Sequence, residues 1–344
     1  MKPPEISIII PSVAGSPTVR SLIYHLCHTN MGIPPEEYEI IVVVDGGEAF
    51  SYPAQLNGVS IRILSNRRYR GAPGARNTGA LAARGKYLWF LDDDIFPSEG
   101  AIAVLMKLWR ELGENAVLGI TTNQLSYLPQ YLKTLQRSVA GAFFVREYLQ
   151  LFVRFSHAVQ SEFVCSGSMA MSRDLFVNVG GFRELPPRVW NGIGIYLSQE
   201  DIELSYRLRK AGAMLYFVPE ITFLACERDL LTASRMLKRA FIGGYAGRIL
   251  WEETYGREGM PLPPVINSRL DTLLSTQIGW WLGRLSYFLH QIADLLYRLS
   301  GRRIYYHKFL LLARAAYAMR GRRFAESELR NGILSHRRYL SDES

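Results

Sequence analysis

The sequence predicts a doubly wound α/β fold, because short β-branched runs alternate with helical spacing over short connections, and because the strands end in polar or acidic residues. Residues 6–10 (ISIII) form a near-continuous β-branched run, which reads as a parallel strand buried on both faces and ended by Pro11. Beyond two Gly/Ser turn signals in 12–18, Leu22, Ile23, Leu26 and Cys27 mark the inner stripe of a helix. Glu39 to Val44 is a second strand that delivers Asp45, followed by Gly46 and Gly47. A carboxylate there accepts hydrogen bonds from a ribose or a base edge, and the glycines allow close backbone approach. Ser60 to Leu64 is a third strand, ending near Asn66. In 70–85 (RGAPGARNTGALAARG) a helix opens at Pro73 or Gly74, with Ala75, Gly79 and Ala82 as a small-residue face that can lie close against the sheet. Its N-terminus, with Arg76 in the first turn, suits a phosphate. Ile102, Leu105, Trp109 and Leu112 mark an amphipathic helix, and Val117 to Thr121 a further strand.

The most informative stretch is 87–94, YLWFLDDD. Tyr87 to Leu91 read as a buried strand, with Asp92, Asp93 and Asp94 where it emerges. Carboxylates so closely spaced repel one another and resist desolvation, so they need a cation or open water. On an extended backbone Asp92 and Asp94 point the same way and Asp93 the other, which leaves two carboxylates free to grip a hard cation such as Mg²⁺ or Mn²⁺. The plainer reading of the same residues is a solvated acidic turn.

Composition narrows the classes. The chain has 344 residues, 48% apolar and 21% charged, enough for one large or two modest domains. The isoleucines before Pro11 are too short a run for a signal peptide. Three widely spaced cysteines (Cys27, Cys165 and Cys226) argue for a reducing compartment and against a disulfide framework or structural zinc. The first strand leads into PSVAGS rather than GxGxxG, and no GxxxxGK[ST] occurs, so neither a dinucleotide nor a P-loop motif is present.

In the second half, 173–184 (RDLFVNVGGFRE) reads as a short helix stopped at Gly180 and Gly181. Residues 199–208 (QEDIELSYRL) begin a helix with Glu200 and Asp201 in its first turn, where carboxylates also favour the helix dipole. Ala213 to Val218 is another strand and 229–253 a long helix, whose Arg235, Lys238 and Arg239 are candidate phosphate contacts. MPLPPV, residues 260–265, is the best boundary in the chain.

The order ISIIIPS, EIIVVVDGG and GAPGARNTGALAARGKYLWFLDDD resembles the GT-A fold, family-2 inverting glycosyltransferases, closely over about 5–95 and more loosely to about 240. The resemblance implies a mixed sheet in a transferase domain at 1–260, with a nucleotide-sugar half (1–122) and an acceptor half (123–260), ahead of a helical extension at 266–344. It implies a nucleotide-sugar donor, UDP-linked by preference, and a divalent cation. Asp45 would hold the base, Arg76 would lie near base and phosphates, and Asp92 would meet the ribose or sugar. Pro11 and Asp93 are grouped with these donor-binding positions, Asp93 as the least certain. Asp94 would bind the metal. Phe163 to Met171 (FVCSGSMAM) resembles the family's strand beneath the acceptor site, the GGF turn at Gly181 would lie beside the sugar, and Trp190 is a candidate stacking platform whose commoner fate is a buried core residue. The ED pair would supply the general base, Asp201 first and Glu200 as its alternative or its neighbour at the acceptor. One departure stands out: 220–230 (EITFLACERDL) lacks the metal-site histidine common in the family, and Glu227 or Cys226 occupies its approximate place, Glu227 being the harder ligand. The alternative to an enzyme is a non-catalytic sugar-nucleotide-binding or membrane-surface scaffold on the same fold.

The net charge of +9 is concentrated in the tail, where twelve basic residues face five acidic ones from Gly279 onward. Leucines, aromatics and tryptophans at helical spacing accompany them, in two helices around 273–299 and 305–317. These helices suit packing on the catalytic domain, a homodimer interface, or contact with the headgroup region of a membrane that brings a lipid-linked acceptor within reach. No uncharged stretch here approaches the roughly 20 residues needed to span a bilayer. The acceptor is a glycan, a lipid-linked or a small-molecule hydroxyl, and the expected location is the cytoplasm or the cytoplasmic face of the inner membrane. Nucleic acid is not expected, because the arginines interleave with bulky aliphatic residues.

Overall fold

Isoleucine and valine runs dictate the centre of the molecule. In the computed structural model, which describes residues 3–14, 16–119, 157–190, 193–195, 199–225, 233–254, 273, 276–300, 307–337 and 339–340, β1 (Ile6–Val13) lies beside β2 (Tyr38–Asp45). All eight residues of β2 are buried, as a parallel strand covered on both faces requires. Further strands are β3 (Gln55–Leu56), β4 (Val59–Ser65), β5 (Tyr87–Leu91), β6 (Ile95–Pro97), β7 (Ala116–Gly119), β8 (Val159–Gln160), β9 (Ser168–Ser172), β10 (Arg188–Trp190), β11 (Ile193–Ile195), β12 (Met214–Phe217) and β13 (Phe223–Ala225). The main sheet has nine strands in the order β3-β4-β2-β1-β5-β9-β7-β12-β8. β4, β2, β1 and β5 are parallel, whereas β9 runs antiparallel to both β5 and β7. The sheet is therefore mixed, and it reverses direction beside the carboxyl end of β5.

Helices cover both faces: α1 (Val19–His28), α2 (Ala72–Ala82), α3 (Ala101–Leu112), α4 (Arg173–Asn178) and α5 (Glu200–Lys210), followed by α6 (Ala233–Thr254), α7 (Gln277–Ser300) and α8 (His307–Arg330). Alternation along β1 splits the core into two layers. Ile8 and Ile10 pack with Leu22, Leu26, Trp89 and Trp109, while Ile9 packs with Ala75, Phe90, Phe176 and Phe182. Each buried Ile, Leu or Phe side chain among these contributes about 1.5–3 kcal/mol by leaving water. The predicted small face of α2 does bring it close: a Cβ on Gly79 would collide with Ile9 Cγ2.

Several expectations need correction. β1 does not end at Pro11 but pairs with β2 as far as Val13, opposite Asp45. Its pairing with β5 is recorded only as far as Ile9, so at Pro11 one side of the strand is open and the missing N–H breaks no ladder there. The extended backbone expected through 92–94 is instead a turn, closed by Ile95 N donating to the Asp92 carbonyl at 3.2 Å, after which β6 pairs with β13. The strand expected over 163–171 begins only at Ser168; Cys165 to Gly167 form a turn whose Gly167 carbonyl accepts from Asp92 N at 2.9 Å. The β3–β4 hairpin, with Asn57 and Gly58 both at positive φ, went unpredicted although Asn-Gly is its usual signal.

The C-terminal helix α8 packs closely on α6. A Cβ on Gly244 of α6 would collide with the Ala318 carbonyl of α8, and one on Gly321 of α8 with the Phe241 carbonyl of α6. The chain then returns to the sheet, where Leu340 is buried in the second core layer, its N–H donating to the Gly180 carbonyl at 2.8 Å. Arg68 Nη2 donates to the Tyr339 carbonyl at 2.6 Å. The boundary expected at 260–265 lies outside the described residues. Among the described residues, no helix is long and apolar enough to cross a membrane.

Candidate active site

The carboxyl ends of β1, β2 and β5, the 165–168 turn and the start of α5 enclose a cleft of about 640 Å³. Brought together there are Pro11, Asp45, Arg76, Asp92, Asp93, Asp94, Glu200 and Asp201, joined by Arg239 from α6. Eight of the site residues expected from sequence therefore line one cleft, at the place where a doubly wound sheet binds ligands.

Each carboxylate is held differently. Asp45 Oδ1 accepts from Asn66 Nδ2 at 2.8 Å and its Oδ2 from Gly71 N at 2.9 Å, so its orientation is fixed from beneath. Asp93 Oδ2 accepts from Ser12 Oγ at 2.5 Å. Burial raises the Asp93 pKa, against the hydroxyls of Ser12 and Ser16, which favour the ion. Arg76, only 3% exposed, spans the cleft floor: one Nη donates to Asp92 Oδ1 at 2.8 Å and the other to Glu200 Oε1 at 2.7 Å. Its burial would discharge it, but the two carboxylates more than compensate and hold its pKa above the usual value. Both arms of this guanidinium are engaged by protein, so it cross-braces the acidic floor of the cleft.

The ED pair opens α5. Gln199 just before it has φ 64°, a left-handed conformation that is unusual for a residue with a side chain. Glu200 is buried, taking Arg76 and the Ser166 hydroxyl (3.3 Å) on Oε1. Asp201 is half-buried and turned to the cleft, with Oδ1 on Ile202 N at 2.9 Å and Oδ2 on Ser166 N at 3.4 Å. Burial pushes both pKa values up, with Arg76 opposing. Of the two, Asp201 is the more exposed, while Glu200 is engaged by Arg76. The Cys165 thiol is exposed at the cleft, where the neighbouring Asp201, Asp92 and Glu200 disfavour its thiolate.

Other expectations land elsewhere. Gly181, at φ 67°, stops α4; a Cβ there would sit 2.8 Å from Asn77 Oδ1 and 2.9 Å from Leu340 Cβ. It is packed behind the sheet and does not line the cleft. Arg207 donates to its carbonyl at 2.8 Å and pairs with Glu203 at 2.6 Å, which makes that arginine part of the scaffold. Trp190 stacks on Phe241 of α6, centroids 4.3 Å apart, with Trp280 of α7 edge-on. The helical layer claims it as core, away from the cleft. Glu227 and Cys226 lie outside the described residues. Sequence reasoning missed Ser12 and Ser166 as cleft residues; small hydroxyl residues directly after apolar runs were the available signal.

Among the described residues, no three His, Cys, Asp or Glu side chains converge on one metal position. The donors that face the cleft are carboxylate oxygens, with Asp92 already bound to Arg76. Such a set suits a hard cation that takes most of its ligands from a substrate diphosphate and water.

The glycosyl transferase family 2 model matches residues 7–180. A dolichyl-phosphate beta-glucosyltransferase of Drosophila melanogaster is 31% identical over 126 residues, covering 32% of this chain and 39% of that protein. The pre-mycofactocin glycosyltransferase of Mycobacterium tuberculosis is 25% identical over 307 residues, 87% of this chain and 57% of its own length. The chain thus spans about half the length, or less, of these curated relatives. Among solved structures, a mannosyltransferase of Pyrobaculum calidifontis in complex with GDP-Man and Mn²⁺ shares the fold, with TM-score 0.50 and 13% identity over 95% of this chain and 88% of that one.

Proposed function

Since the chain belongs to glycosyl transferase family 2, we propose that it moves a sugar from a nucleotide-diphospho-sugar to an acceptor hydroxyl with inversion, Asp201 acting as general base and Asp94 holding a divalent cation. The observation that supports this reading is that Asp45, Asp92, Asp94 and Asp201 all line one cleft. The nucleoside is held at Asp45, whose two oxygens are fixed by Asn66 and Gly71. Arg239 and the N-terminus of α2 at Ala72, both in the cleft wall, offset the negative charge of the diphosphate. Asp94, with Asp92 beside it, holds Mn²⁺ or Mg²⁺, which when bound neutralises charge on the departing diphosphate.

Asp201 takes the proton from the acceptor hydroxyl as its oxygen bonds to the anomeric carbon. The bond from that carbon to the diphosphate oxygen breaks, and the nucleoside diphosphate leaves with the electron pair. With attack and departure on opposite faces, an α-linked donor yields a β-linked product, and no covalent enzyme intermediate is formed. Glu200 and Arg76 orient the pair from below. A nucleotide sugar, UDP-linked by preference or GDP-linked as in the Pyrobaculum mannosyltransferase complex, is the donor class, and a glycan, lipid-linked or small-molecule hydroxyl is the acceptor class.

The test is turnover of a panel of nucleotide sugars with Mn²⁺, in the wild type and in Asp94→Ala and Asp201→Asn. Metal-dependent release of nucleoside diphosphate, lost in both variants, is expected. Donor binding without any turnover in the wild type would overturn the reading in favour of a sugar-nucleotide-binding scaffold.

A further inference from the structure

The helix α7 is built inside out for a helix in water. Its seam against the rest of the protein includes Gly279, Gly283, Ser286 and His290, all buried, beside Trp280, which meets Trp190 and, on α8, Tyr317; a Cβ on Gly283 would collide with Ala316 of α8. Its large apolar residues face away from the protein: Ile278 is 66% exposed, Trp281 64%, Leu285 53%, Phe288 56%, Ile292 41% and Leu295 57%. They recur at three- and four-residue steps, one continuous stripe roughly 26 Å long at 1.5 Å per residue. A water-facing helix shows the reverse arrangement, with its apolar stripe turned inward. Small residues at a helix–helix seam with bulky apolar residues outside is the pattern of helices solvated by lipid.

We propose that this outer face of α7 seats the protein on an anionic lipid surface, lying in the plane of the headgroups rather than crossing the bilayer. Charge selects lipid over a second copy of the chain. Arg284, exposed beside the stripe, lies 5.4 Å from the centroid of the Trp281 ring. From Gln277 to Lys308 the sequence holds Arg284, Arg298, Arg302, Arg303 and Lys308 against the single acid Asp294. Two copies of this net-positive segment would repel each other, whereas anionic headgroups neutralise it. No described helix is apolar enough to span, so the stripe sinks in only as far as its side chains reach. The inference stands apart from the sugar-transfer reading and survives its failure.

The experiment is flotation of the full chain with vesicles of phosphatidylcholine mixed with phosphatidylglycerol, beside vesicles of phosphatidylcholine alone. The wild type is expected to float with the anionic vesicles, less so at high salt. The double variant Trp281→Glu, Phe288→Glu replaces only outward-facing side chains and should lose about tenfold or more in partitioning, with an unchanged urea midpoint. A full chain that stays at the bottom of the gradient, equal flotation on neutral vesicles, or a double variant that floats like wild type overturns the proposal. So does a dimer in sedimentation that the double variant dissolves while no vesicle is bound.

Discussion

Replacing Arg76 with methionine tests the geometry of the cleft floor through stability alone. The side chain is 3% exposed and bridges Asp92, whose side chain is 40% exposed, to Glu200, whose side chain is 10% exposed. The Asp92 half is screened by water and is worth under about 1 kcal/mol. The Glu200 half is different, because a buried carboxylate stripped of its partner costs about 3–5 kcal/mol if it stays charged. Glu200 can escape by taking a proton, and from its ordinary value of 4.5 that costs about 3.4 kcal/mol at pH 7 and about 0.7 kcal/mol at pH 5. Burial already raises the Glu200 pKa against the pull of Arg76, and losing Arg76 raises it further. The folded variant then holds a proton that the unfolded chain releases, so its stability falls as pH rises above the unfolded value. Urea unfolding of wild type and Arg76→Met should therefore differ by about 3 kcal/mol at pH 7 and by about 1 kcal/mol at pH 5. A deficit of equal size at both pH values would refute the claim that Glu200 is the group Arg76 neutralises.

Asp201→Asn should lower kcat by about 10²- to 10⁴-fold while leaving donor binding intact, measured by turnover and calorimetry. In the wild type, because burial raises the Asp201 pKa, the acid limb of the rate profile should lie above the usual aspartate range of 3.8, the rate rising with pH as the base loses its proton; the Asn variant should lack that limb. Asp94→Ala should erase the gain in donor affinity that Mn²⁺ confers, read by titration with and without chelator. Gly79→Val, which drives a branched side chain into Ile9, should cost about 1–3 kcal/mol in urea unfolding at any pH.

What was legible in the sequence was whatever a local period carries. The strands of the parallel half, the inner stripe of α1 and the small face of α2 follow from apolar spacing within a dozen residues. The acidic stretch after β5 was legible as a site, but its shape was not: the turn at 92–94 depends on Gly167 and β13, both remote in sequence. The same limit hid the role of Arg76, whose partner Glu200 lies 124 positions away. Pro11 misled because its fate depends on a neighbouring strand that stops short. Trp190 was claimed by α6 and α7, which no local pattern ties to it. In α7 the apolar spacing was plain, yet which side of the helix met the protein was settled by glycines that let α8 approach.

The most direct test is a crystal of the wild type grown with Mn²⁺ and a non-hydrolysable nucleotide sugar. The account predicts the base against Asp45, the diphosphate within coordination reach of Asp94, and the anomeric carbon open to Asp201 on the face away from the diphosphate. A diphosphate bound elsewhere, or Asp201 on the same face as the leaving group, would contradict it.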